Sequence, residues 1–115
     1  MIAHGIENGG NSMGLEEVSQ GENGAIFLSS LAVNGADNRA LAVHIVKQFV
    51  QEVDEYATSL GLNWGWRFLN YAYGYQDPIA TYGESAQKKI RAASEKYDPD
   101  EVFQYLRKTG HKIPS

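Results

Sequence analysis

One stretch of this 115-residue chain gathers most of the side chains suited to holding a small molecule. Trp64, Trp66, Phe68, Tyr71, Tyr73, Tyr75 and Tyr82 hold more than half of all its aromatics, with Asn70, Gln76 and Asp77 interleaved. Rings give flat apolar contact area, while hydroxyl and amide tips fix orientation, so the stretch reads as a wall for a planar, apolar or aromatic small molecule. Trp64, Trp66, Phe68, Tyr73, Tyr75 and Gln76 are its candidate substrate-binding residues. The competing reading is a core strand with two tyrosines at a wet edge. Other catalytic templates fail. His4, His44 and His111 stand far apart, none has a partner at metal-ligand spacing, and no metal site is expected. His44 lies beside an apolar helix stripe, which favours a structural role. There is no Cys, so thiol nucleophiles, disulfides and Cys-type zinc sites are excluded. The run Gly9-Gly10-Asn11-Ser12-Met13-Gly14 does not fit G-x-G-x-x-G and is not expected to lead directly into a helix. No Walker lysine and no G-x-S-x-G elbow occurs.

The elements that must position the aromatic wall follow from periodicity. Six glycines mark residues 1–24 as loop and turn. The apolar run Ala25–Val33, bounded by Gly24 and Asn34-Gly35, reads as a largely buried strand. Asp37 or Asn38 is expected to cap a helix from about Arg39 to Leu60, with Leu41, Ile45, Phe49, Val53, Tyr56 and Leu60 as its apolar stripe and Gly61 as its stop. Trp64 to Tyr73 reads as a second strand, with Phe68, Asn70 and Ala72 on one face and Leu69, Tyr71 and Tyr73 on the other. A helix follows from about Glu84 to Lys96, carrying Ala86, Ile90, Ala93 and Tyr97 on one side. Asp98-Pro99-Asp100-Glu101 then opens a short helix with a capping box, and Val102, Phe103 and Leu106 form its apolar side. The expectation is an α+β fold: a small sheet packed against a long amphipathic helix, plus two C-terminal helices. Two strands make a poor sheet alone. The long helix and the strands therefore call for a partner surface, either a homodimer or another chain or domain.

Hydrophobic residues make up 43% and charged residues 21%, which fits a globular domain rather than a disordered one. The length fits a single domain, residues 1–115. A net charge of −4 argues against nucleic acid, and no apolar run is long enough to span a bilayer. The first residues lack the basic start and apolar core of a secretory signal, so a cytoplasmic place is expected if Met1 is the natural start.

Three stretches in order carry a resemblance: Gly9-Gly10-Asn11-Ser12-Met13-Gly14-Leu15; Phe68-Leu69-Asn70-Tyr71-Ala72 with Gln76-Asp77-Pro78-Ile79-Ala80-Thr81-Tyr82-Gly83; and Lys96-Tyr97-Asp98-Pro99-Asp100-Glu101-Val102-Phe103-Gln104. Together they resemble the C-terminal end of fungal FAD-linked oxidoreductases of the berberine bridge enzyme-like family. The resemblance implies a partial substrate domain over residues 1–70 and a C-terminal berberine-like segment over 71–115. It also implies that the flavin domain, with the pyrophosphate loop and the flavin-linked histidine, lies before this segment. The isolated chain is then expected to hold no cofactor, and FAD is implied by the resemblance alone. Asn70 and Tyr71 would face the flavin if a flavin domain is supplied. Tyr71 takes the position of the base that removes a substrate hydroxyl proton, and needs neighbours that lower a phenol pKa ordinarily near 10.

Three functions follow. The first is the C-terminal part of such an oxidoreductase, lacking its own flavin domain. The second is a flavin-free isomerase or cyclase of secondary metabolism, with Tyr71 as general acid or base helped by Asn70 and Asp77. The third is a non-catalytic interaction module.

Overall fold

The computed structural model describes residues 10–114. His4, Gly9 and the rest of residues 1–9 of the expected leading loop lie outside the described residues, as does Ser115. In chain order the helices are α1 (Leu15–Ser19), α2 (Ala36–Ser59), α3 (Glu84–Tyr97) and α4 (Val102–Tyr105), with 3-10 turns at Leu69–Tyr71 and Ile79–Thr81. The chain divides into two compact units, one from residues 10–24 and 66–114, the other Ala25–Gly65.

No strand forms among the described residues, which overturns the expected sheet and with it the α+β fold: the chain is helical. Strand propensity yields a β-strand only where another strand meets its hydrogen-bonding groups. Ala25–Val33 stays irregular and exposed, and the second expected strand is interrupted by the turn at Leu69–Tyr71. Residues 10–24 also differ from the expected loop, since α1 follows Gly14 directly.

In the Ala25–Gly65 unit the apolar periodicity does produce the long helix. Its start lies a little earlier than expected, after Gly35 and without a capping side chain. Asp37 sits in the first turn, where its charge suits the helix dipole, and Asn38 Nδ2 instead donates to Asn34 O at 2.8 Å. The end is a Schellman arrangement: Gly61 N donates to Thr58 O at 3.0 Å and Leu62 N to Ala57 O at 2.9 Å, with Gly61 at φ 69. Ala42 is buried and Val46, Val50, Val53 and Ala57 are half-buried, whereas Leu41, Ile45, Phe49, Tyr56 and Leu60 stay exposed, Leu41 at 60%.

The other unit packs around Ile79, Tyr82 and Ala86, with Met13, Trp66, Ile90 and Ile113 against them. Trp66 Nε1 donates to Met13 O at 2.8 Å, which ties the aromatic stretch to the loop before α1. α3 follows the expected helix closely, although Tyr97 is exposed rather than packed. Asp98 caps α4 in a different way from the expected box. Glu101 is the residue before the helix, at φ 53, and the Asp98 carboxylate accepts from Val102 N at 2.9 Å and Phe103 N at 3.0 Å. The apolar side of α4, including Phe103 and Leu106, faces outward.

Candidate functional site

The aromatic stretch is shaped by three local devices. Phe68 is extended, and the single 3-10 turn at Leu69–Tyr71 then reverses the chain before Ala72 extends again. A 3-10 turn brings residues three apart onto one side. Phe68 and Tyr71 accordingly meet edge-to-face, with centroids 4.9 Å apart at 89°, where strand alternation had put them on opposite faces. Gln76 closes the next turn twice: its backbone N donates to Tyr73 O at 2.9 Å, and its Oε1 accepts from Tyr73 N at 2.8 Å. Asp77 Oδ1 accepts from Ala80 N at 3.3 Å and starts the turn at Ile79–Thr81, with Pro78 buried between. Thr81 Oγ1 accepts from Arg67 N at 3.0 Å and donates to Pro78 O at 2.6 Å, which pins this turn to the residue after Trp66.

The product is a row of rings. Trp66 lies between Phe68 and Tyr82, stacked on each with centroids 5.9 Å apart, and Tyr71 continues the row beyond Phe68. Tyr73 and Tyr75 form a separate tilted pair at 5.7 Å. Tyr71 is 53% exposed, and Asn70, Tyr73 and Tyr75 are exposed as well. Trp66, Phe68 and Tyr71 are thus brought together. Gln76 and Asp77 each hold a backbone amide of their own turn, and Trp64 belongs to the other unit. Among the described residues, no three His, Asp or Glu side chains come together as metal ligands, and no helix is long and apolar enough to cross a membrane.

Tyr82 was not among the candidate site residues, yet it anchors the row. It is 2% exposed, and its hydroxyl has no hydrogen-bond partner among the described residues. Burial raises its pKa above the ordinary 10.0; the nearby Leu69 backbone pulls the other way and recovers only part of the shift. The folded chain therefore holds a proton that the unfolded chain releases near pH 10. Stability contributed by this group is complete below that pH and declines as pH rises above it. Tyr82→Phe is expected to leave neutral-pH stability unchanged or raise it by up to about 1 kcal/mol, since a buried hydroxyl without a partner costs more than it returns. The variant should also lose part of the alkaline decline, which paired denaturation curves from pH 8 to about 11 would show.

The chain is 38% identical over 109 residues to a FAD-dependent monooxygenase of Aspergillus calidoustus, a match covering 95% of the chain and 20% of that protein. It is 35% identical to the bifunctional solanapyrone synthase of Alternaria solani, over 98% of the chain and 21% of the relative. A FAD-dependent monooxygenase of Emericella nidulans is 41% identical over 70% of the chain and 16% of its own length. The chain matches a segment of fungal FAD-dependent monooxygenases. The chain spans about a fifth of the length of those relatives. No family model and no solved structure matches it.

One pocket beside α1 carries charges that disfavour a pyrophosphate. A pocket of about 350 Å³ lies between the loop at Gly10 and Asn11, α1 and the start of α3, lined by Glu16, Glu17 and Lys89 among others. A helix N-terminus attracts phosphate when nothing negative already stands there. Here the Glu17 carboxylate lies against Gly83, the residue before α3, close enough that a Cβ on that glycine would sit 2.6–2.8 Å from it. Two carboxylates against one ammonium leave no welcome for a pyrophosphate.

Proposed function

We propose that the chain is the C-terminal part of a berberine bridge enzyme-like FAD-linked oxidoreductase and acts with a flavin-bearing portion that it does not itself contain. The observation that carries this reading is the match along 95% of the chain to only 20% of a FAD-dependent monooxygenase. The small buried core supports it, because a domain complete in itself covers more of its apolar surface than this one does. FAD, held by the other portion, supplies the two-electron acceptor. The part played by this chain is to present a surface of rings and one phenol. Phe68 holds the Tyr71 ring edge-on, and the half-exposed Tyr71 Oη takes a proton from a hydroxyl of a substrate laid against the row. The exposed Asn70 amide, in the same 3-10 turn, orients that hydroxyl. Apolar contact from the rings supplies positioning.

The test is a visible spectrum taken on two preparations. The isolated chain is expected to be colourless. A chimera of the Aspergillus calidoustus relative, with its matching fifth replaced by this chain, is expected to be yellow with near-stoichiometric flavin. A folded chimera without flavin overturns the reading, and a flavin spectrum from the isolated chain overturns the assignment of FAD to the other portion.

A further inference from the structure

The described residues contain the sequence Asn-Gly-Ala twice, as Asn23-Gly24-Ala25 and as Asn34-Gly35-Ala36. An asparagine before glycine can modify itself. The glycine nitrogen, with no Cβ beside it, is able to approach the carbonyl carbon of the asparagine side chain. Asn23, Gly24, Asn34 and Gly35 are all exposed, and neither glycine N–H donates a backbone hydrogen bond among the described residues. By residue type and exposure the two sites are equal.

They differ in what touches the peptide that would react. Asn38 Nδ2, in the first turn of α2, donates to Asn34 O at 2.8 Å. That oxygen belongs to the same peptide unit as Gly35 N. When Gly35 N–H loses its proton, resonance spreads the negative charge onto this oxygen, and a donor already aimed at it stabilises the anion. Asn23 O accepts no hydrogen bond among the described residues. The Asn34 side-chain amide has no hydrogen-bond partner among them either, so its carbonyl carbon is free to turn toward Gly35 N. An added Cβ at Gly35 would meet nothing within 4 Å, which leaves the site open to water.

We propose that Asn34 is a site of spontaneous deamidation, activated by the Asn38 amide. Gly35 N bonds to Asn34 Cγ, the Cγ–Nδ2 bond breaks, and ammonia leaves with the proton from Gly35 N. The product is a succinimide. Water then opens the ring at either carbonyl and leaves aspartate or isoaspartate; no oxidant or reductant takes part. Both products place a negative charge just before α2, where the helix dipole accommodates it. Isoaspartate also lengthens the main chain by a methylene between Val33 and α2.

Peptide mapping by mass spectrometry tests this on the chain incubated in neutral buffer, with fragment ions separating the two sites. In the folded chain Asn34 is expected to be lost at least about 10-fold faster than Asn23, the effect of one hydrogen bond to a developing charge. In urea that bond is absent and the reacting sequences match, so the two rates are expected to become equal. Asn38→Ala is expected to remove the excess from the folded chain. Equal rates in the folded, unaltered chain overturn the proposal. An excess at Asn34 that survives in urea overturns it too, because its cause would then be local sequence and not the Asn38 contact. So does an Asn38→Ala chain that is helical by circular dichroism and still loses Asn34 at the original rate. Should that variant lose its helix, the comparison of folded and urea-unfolded chain decides alone.

Discussion

Tyr71→Phe is expected to lower turnover of the flavin-loaded chimera by about 10²–10⁴-fold, the range for loss of a general acid or base, while leaving the chain folded. Only the hydroxyl is removed. The Tyr71 ring keeps its edge-to-face contact with Phe68, and a half-exposed side chain leaves no cavity behind. The measurement is single-turnover bleaching of the flavin absorbance with the relative's own substrate, alongside a thermal melt. Loss of a base required for hydride departure slows the bleaching step itself. Unchanged bleaching would remove Tyr71 from the chemistry. A lowered melting temperature with unchanged bleaching per folded molecule would make its hydroxyl a structural group. Asn70→Ala is the companion variant. The 3-10 turn puts Asn70 beside Tyr71 and not across a strand from it, so its loss should alter substrate orientation and act on KM more than on the bleaching rate.

The parts that were legible in the sequence are those whose cause is local. The stripe from Leu41 to Leu60 and the glycine stop at Gly61 need nothing beyond helical periodicity and one residue that tolerates a positive φ. Glu84–Tyr97 was readable for the same reason. What misled was a property that only a second element can satisfy. Ala25–Val33 has the composition of a buried strand, but no strand forms there or elsewhere among the described residues. The aromatic stretch failed differently. Alternation of large rings suggested a strand, whereas the Leu69–Tyr71 turn and the paired turns built by Gln76 and Asp77 fold it back and place Phe68 against Tyr71. Small polar residues beside a proline were the available signal for those turns. Tyr82 was visible only as one more aromatic. Its burial depends on close approach by a loop far away in sequence, which no local pattern encodes.

That approach is made at Gly14, and Gly14→Ala is expected to destabilise the unit around Tyr82 by about 2–5 kcal/mol, combining a forbidden backbone conformation with an overpacked core. Gly14 precedes α1 at φ 66, and the loop before it is held by Met13 N donating to Asn11 Oδ1 at 2.7 Å and Gly14 N donating to Asn11 O at 3.1 Å. A Cβ at Gly14 would stand 1.6 Å from Tyr82 O and 3.1 Å from Ala86 Cβ. The nearest atom is main chain, so no rotamer change relieves the clash. Either the loop withdraws or Tyr82 moves, and both break the stack on Trp66 and the bond from Trp66 Nε1 to Met13 O. Gly21→Ala separates the two causes. Gly21 also has a positive φ, 86, but an added Cβ there meets nothing within 4 Å. Its cost should be confined to backbone strain, about 1–2 kcal/mol. Urea denaturation followed by Trp66 fluorescence in a Trp64→Phe background reads both variants at the affected site. Equal losses for the two glycines would mean that the loop does not approach Tyr82 as closely as described. A clear excess for Gly14 identifies the contact that seats the last ring of the row.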